Sequence, residues 1–203
     1  KSHISMAHNS LECLNSRGIG RHIKKEKNYY TTFLKWCELC NQSGAGADAH
    51  SHIRPAQIFS GSPKSYRRAE VKEQDCVKTL DLLSKTNLRF YIHSIYLINL
   101  CRQENEKAFD YFKTELYIGN KIGCKGVVIH CGKSVKFPKD VALETMFNNL
   151  QYLLQFADLS CPILLETPAG QGTELLVKYE DFLSFYKRFT DIELMKLKIC
   201  IDT

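Results

Sequence analysis

Five short apolar runs recur along the chain, at 55–59 (PAQIF), 88–92 (LRFYI), 126–129 (GVVI), 162–165 (PILL) and 197–201 (LKICI). Runs of this length with no polar alternation predict strands buried on both faces. Between them the period lengthens. In 139–159, Leu143, Phe147, Leu150 and Leu154 recur at spacings of four, three and four, the signature of one apolar helix face. Phe109, Phe112 and Leu116 repeat the pattern within 102–119. Residues 65–83 predict a further helix, with Leu80 and Leu83 on its inner side. Strand–helix alternation with fully apolar strands predicts an α/β fold, a parallel sheet covered by helices.

A polar residue closes each of four runs. His93 follows the second, His130 the third and Glu166 the fourth, and Asp202 interrupts the end of the fifth. Their separations are 37, 36 and 36 residues, a βα unit of near-constant length. In a (β/α)8 TIM barrel the carboxyl ends of all strands open on one face, where active sites sit. Each residue alone has a plain reading, as a satisfied polar side chain, a helix cap or the partner of a lysine. Four in register predict a shared metal site. Two imidazoles and two carboxylates suit zinc, with manganese or iron as alternatives.

A closed barrel needs eight units in about 250 residues. The five runs and a first segment near residues 3–5 give about five to six βα units. The expectation is therefore one domain over 1–203, a barrel truncated at its C-terminus, with further units and ligands beyond Thr203. A chain that opens on Lys1 fits a fragment.

Composition narrows the partners. Hydrophobic content of 44% and charged content of 25% are those of a globular chain. No apolar run approaches the roughly 18 residues of a membrane span, and no signal peptide opens the sequence, so no membrane partner is expected. Nine cysteines are spread along the chain. Without a secretion signal they read as reduced thiols of an intracellular compartment, nucleus or cytoplasm. Residues 1–70 carry a net charge of +6 and the remainder carries none. Such asymmetry fits an anionic partner such as nucleic acid, and equally a solvated basic loop.

The motifs FYIHSIYLINL, VVIHCGKS, LLETPAGQGTEL and CIDT, in this order and spacing, resemble the endonuclease IV family of zinc-dependent apurinic/apyrimidinic endonucleases. SHISMAHNSLECL looks like that family's first strand. The resemblance covers most of 1–14 and 55–203. It implies a barrel with up to three zinc ions that hydrolyses the phosphodiester 5′ to an abasic site in double-stranded DNA by a zinc-bound hydroxide. Trimming of 3′ ends in base excision repair and a monomeric state are implied with it. Carried over by motif, His93, His130 and Glu166 hold one zinc. Glu166, the catalytic carboxylate, bridges to a second that Asp202 also reaches, and the third depends on residues beyond Thr203. Pro168, Ala169, Gly170 and Gly172 form a loop of little bulk that a DNA backbone can approach, with Gln171 as its polar contact. Tyr96 matches a side chain pushed into the duplex, and has a core reading beside apolar YLINL. Lys64 stands where the family has arginine, keeping charge but losing the planar guanidinium. Lys64, Arg67 and Arg68 also read as phosphate contacts or as an exposed helix start. Cys131 departs from the family's His-Pro-Gly, and a thiol beside zinc is a possible competing ligand.

Residues 15–54 read as a basic insertion. YTTFLKWCELC predicts a short amphipathic helix and QSGAGADA a linker. Cys37-x-x-Cys40 with His50-x-His52 has finger-like spacing only on its cysteine side, and a helical turn with two inward cysteines is the alternative. The run RHIKKEK offers phosphate contacts. The leading reading is a DNA-repair endonuclease. A metal-dependent sugar isomerase or epimerase on the same barrel, and a non-catalytic DNA-binding relative, are the rivals. The basic first third and AGQGTEL weigh against the isomerase, and the retained ligands weigh against loss of catalysis.

Overall fold

The computed structural model describes residues 23–42, 54–103 and 105–201. In chain order the elements are α1 (Tyr29–Gln42), β1 (Arg54–Phe59), α2 (Glu73–Ser84), β2 (Leu88–His93), α3 (Glu106–Lys121), β3 (Val127–His130), α4 (Lys139–Leu154), β4 (Ile163–Glu166), α5 (Tyr179–Tyr186), α6 (Asp191–Lys196) and β5 (Leu197–Cys200). The five strands form one parallel sheet in the order β1-β2-β3-β4-β5. Each expected strand is present, and sequential order with helical crossovers is the winding of a TIM barrel.

Strand parity separates two layers. Phe90, Ile92, Val127, Ile129, Ile163, Leu165 and Leu197 face the helices and belong to one large buried cluster. Tyr91, Val128, Leu164 and Cys200 point the other way and form a second cluster. Because side chains alternate along a strand, His93, His130 and Glu166 fall on this second face, two residues beyond Tyr91, Val128 and Leu164. The register fixes their relative height: His93 pairs with Val128, and His130 with Glu166.

The helices differ from the expected ones in detail. The 65–83 segment becomes helical only at Glu73, and its buried face is Cys76, Thr79 and Leu83. Leu80 is exposed, against expectation, because that stripe turns it outward. The 102–119 helix runs over 106–121 and buries Phe112 and Leu116, while Phe109 is only partly covered. The 139–159 helix ends at Leu154. The YTTFLKWCELC helix is present as α1, and it packs into the core. Tyr29 and Phe33 are buried, and Phe33 stacks on Phe90 of β2 at 3.7 Å between centroids. Among the described residues no helix is long and apolar enough to cross a membrane. Cys76, Cys101, Cys124, Cys131 and Cys161 are free thiols, all buried.

Candidate metal centre

Three strand ends bring three side chains together. His130 Nε2 lies 2.9 Å from Glu166 Oε2, His93 Nε2 lies 3.2 Å from the same oxygen, and the two Nε2 atoms are 3.2 Å apart. Among the described residues these three are a group able to hold a metal ion, their ligand atoms all within 4.8 Å of one another. Tetrahedral zinc with bonds of about 2.0–2.1 Å sets its ligand atoms about 3.3 Å apart, so the triangle has the size of one face of such a site.

The proton inventory supports the fit. His93 Nδ1 lies 2.7 Å from the Ser94 carbonyl. A carbonyl only accepts, so Nδ1 carries the proton, and a neutral ring then leaves Nε2 with its lone pair. That lone pair faces a carboxylate oxygen, a contact that a shared cation makes favourable. Fixing one ring nitrogen through a carbonyl is also how metal-bound histidines are commonly oriented. Burial raises the Glu166 carboxyl, but with His130 and His93 protonated their hydrogen bonds and charge outweigh it and hold the group at about 2, and a bound cation would stand in for those protons. The carboxylate is therefore ionised and ready to bind a cation.

A buried acid lies beneath the centre. Glu115 of α3 is fully buried and accepts hydrogen bonds from Ser60 Oγ at 2.6 Å and from Ser94 Oγ. It ties together the residues that follow β1 and β2, including the Ser94 whose carbonyl orients His93. Burial pushes its carboxyl up to about 7, against the hydrogen bonds of Ser60 and Ser94 and the charge of Arg68. Nothing in the sequence pattern singles out Glu115, since a lone acid in an amphipathic helix reads as a solvent-facing residue.

Above the three candidate ligands lies an open cleft of about 370 Å³, lined among others by Tyr96, His130, Lys133, Glu166 and Gln171. Its wall is a zipper between the loops after β3 and β4. Ser134 N donates to Thr173 O at 3.0 Å, Val135 N to Thr173 Oγ1 at 3.1 Å and Leu175 N to Gly132 O at 3.2 Å. Gly170 (φ 82°) and Gly172 (φ 61°) take the left-handed backbone that glycine tolerates best. Gln171 N between them donates to Glu174 Oε2 at 2.7 Å. The glycine-rich loop is thus held in shape by its own hydrogen bonds.

Other expected residues divide. Tyr96 is about half exposed and its ring stands 5.3 Å from that of His130, so it lies over the centre and not in the core. Lys64 is exposed and lies outside the residues that line this cleft. Its neighbour Pro63 accepts a hydrogen bond from Tyr96 N at 3.0 Å. Cys131 is buried, and its thiol donates to the Glu166 carbonyl at 3.2 Å. Burial raises its pKa strongly, and nearby Cys101, Glu166 and Glu174 add to the rise, so it is a hydrogen-bond donor here. Asp202, His50 and His52 lie outside the described residues, as does the Cys40 side chain; Cys37 is partly buried in α1.

Lys133 was not among the expected site residues. It reaches the cleft three positions after His130, its amide and carbonyl both fixed by Asn99 at 2.9 Å, with Nζ 3.3 Å from Glu174. The HCGK sequence places it at the strand exit, which was the available signal.

Comparison with known proteins agrees with this fold. A protein of Acanthamoeba polyphaga mimivirus provisionally named endonuclease 4 is 28% identical over 202 residues, covering 95% of this chain and 61% of that protein. A Staphylococcus aureus (strain Newman) protein of the same provisional name is 26% identical over 166 residues, 79% of this chain and 55% of its own length. The fold is similar to that of endonuclease IV from Thermus thermophilus, with a TM-score of 0.63 and 21% identity over 90% of this chain and 61% of that one. The chain therefore spans about 60% of the length of these relatives. The family model described as a xylose isomerase-like TIM barrel matches residues 45–203, which include all five strands and His93, His130 and Glu166. By that match, and by the sequential parallel sheet that carries these three residues at its carboxyl edge, this chain belongs to the xylose isomerase-like TIM barrel family.

Proposed function

We propose that this chain is the greater part of a zinc-dependent DNA-repair endonuclease that hydrolyses the phosphodiester 5′ to abasic sites in duplex DNA and trims blocked 3′ ends. The observation that carries this reading is the convergence of His93 Nε2, His130 Nε2 and Glu166 Oε2 at 2.9–3.2 Å below an open cleft. The provisional names of the relatives support it.

His93, His130 and Glu166 would hold one zinc ion. Glu166 would also serve a second, with Asp202 as its further ligand, and a third would draw on residues outside this chain. Zinc at such a site supplies positive charge for the phosphoryl oxygens and lowers the pKa of water. The chain's own side chains bind and orient. Tyr96 offers an aromatic face beside the ligands, on which an exposed sugar or base can pack. Lys133 places a cation at the cleft wall for a phosphate. Gln171, Gly170 and Gly172 present backbone and an amide where a DNA strand can come close. Glu166 remains ionised, so its charge offsets part of that of the cation.

The test is incubation of the full-length protein with a duplex carrying one abasic analogue, with and without a chelator. Nicking on the 5′ side that stops with chelator and returns with zinc supports the reading. Chelator-resistant cutting, or no cutting with zinc restored, rejects it.

A further inference from the structure

Four cations meet in a second recess at the mouth of the sheet. Lys25, Lys27, Arg67 and Arg68 line a space of about 490 Å³ beside Ser60 and Gly61. They come from two segments that the fold draws together. Ile23 N donates to Gln57 O at 2.9 Å, which lays residues 23–27 along β1, and Lys25 Nζ donates to Ser60 O at 2.9 Å. On the other side the loop after β1 doubles back. A Cβ on Gly61 would stand 2.7 Å from the Arg67 carbonyl, so this close approach needs glycine.

The electrostatics of the recess are unbalanced. Among the described residues none of the four cations forms an ion pair. Glu26 shares the recess, but it is bound by Lys35 at 2.6 Å. Asp75 acts on Lys25 from a distance while its two oxygens accept from Tyr29 N and Tyr30 N at 3.0 Å. Arg68 is stacked over Tyr111 at 4.3 Å, and its Nη1 is buried with no hydrogen-bond partner among the described residues. A buried donor without a partner is costly, and so is a group of like charges. One anion at the recess balances the like charges. Burial, and after it the charge of Arg68, lowers the Lys25 pKa against the pull of Asp75, consistent with a missing counter-charge.

The recess and the metal centre share one face. Ser60 directly follows Phe59, which pairs with His93, and the Phe59 and His93 rings are 5.0 Å apart. Pro63 in the same loop bonds to Tyr96 N. We propose that this recess binds a backbone phosphate of the nucleic-acid strand that is cut at the His93–His130–Glu166 centre. This rests on the nuclease reading above. Guanidinium forks match phosphate oxygens, and Lys25 and Lys27 add point charge.

The experiment compares the full-length protein with its Lys27→Gln/Arg67→Gln double variant. Both side chains are exposed, so the fold should persist, and thermal melting checks it. Affinity for an abasic-analogue duplex is measured as salt rises. Removing one phosphate interaction flattens the plot of log affinity against log salt by about 0.9. The proposal predicts a slope shallower by about one unit and roughly tenfold weaker binding at low salt. Parallel slopes overturn it, and if the wild type still cuts that duplex, the nuclease reading stands without the recess. Inorganic phosphate, followed by phosphorus NMR, separates the two sources. Saturable binding of phosphate that the double variant loses, in a protein that binds no duplex, overturns the strand assignment in favour of a free phosphate.

Discussion

His93 and His130 turn their Nε2 atoms toward each other at 3.2 Å from strand ends 37 residues apart, and Glu166 Oε2 completes the triangle. Two ring nitrogens and an ionised carboxylate brought this close have the geometry of a cation site. That geometry, and the packing that supports it, has consequences that can be measured.

Replacing Glu166 by glutamine keeps the shape and removes the charge. The Glu166→Gln protein is expected to fold with a melting temperature within a few degrees of wild type. Bound metal should fall, and nicking should drop by at least about 100-fold, in line with removal of a ligand that also serves the chemistry. Metal analysis and a nicking assay check this.

Glu115 makes stability depend on pH. Its carboxyl is held at about 7 in the fold, above its ordinary value. The folded state therefore binds this proton more tightly than the unfolded state does. The corresponding stability is fully present below about pH 4.5 and is lost as pH rises to about 7, roughly 3 kcal/mol over that window. Glu115→Gln should flatten this part of the curve. Urea unfolding from pH 4.5 to 8 measures both proteins.

Two glycines near the cleft should behave differently. A Cβ on Gly132 would collide with Cys101 Sγ and lie 2.9 Å from Cys101 N, so Gly132→Ala should cost about 2–3 kcal/mol and displace Lys133. Gly172 has nothing within 4 Å of that position, only a left-handed backbone. Gly172→Ala should cost about 1 kcal/mol. Denaturant midpoints compare the two.

The Cys131 thiol should be inert. Burial and its bond to the Glu166 carbonyl keep it protonated. Cys131→Ala is expected to retain its metal content, and the native thiol should resist alkylation at pH 7. Mass spectrometry of alkylated protein measures the second point.

Much of this was legible in the chain. The spacing of 36–37 residues and the polar residue closing each apolar run placed His93, His130 and Glu166 at one end of the sheet before any contact was known. Helix boundaries were less legible. Residues 65–72 have helical composition, yet the loop after β1 folds over Gly61 and delays α2 to Glu73. The two short helices between β4 and β5 are not among the predicted ones. The Thr190-x-x-Glu193 capping box nevertheless marks the start of α6 in the sequence itself. Lys133 had a signal in HCGK, and RHIKKEK, Arg67 and Arg68 already read as phosphate contacts, but the role of Glu115 and the meeting of those two basic segments come only from long-range packing, which no local pattern encodes.

Anomalous diffraction at the zinc edge, from crystals of the full-length protein grown with zinc, tests the central claim most directly. The account predicts a peak bonded to His93 Nε2, His130 Nε2 and a Glu166 oxygen, each at about 2.0–2.2 Å. A zinc-soaked crystal with no peak among these three atoms, or with the ion held elsewhere, would contradict it.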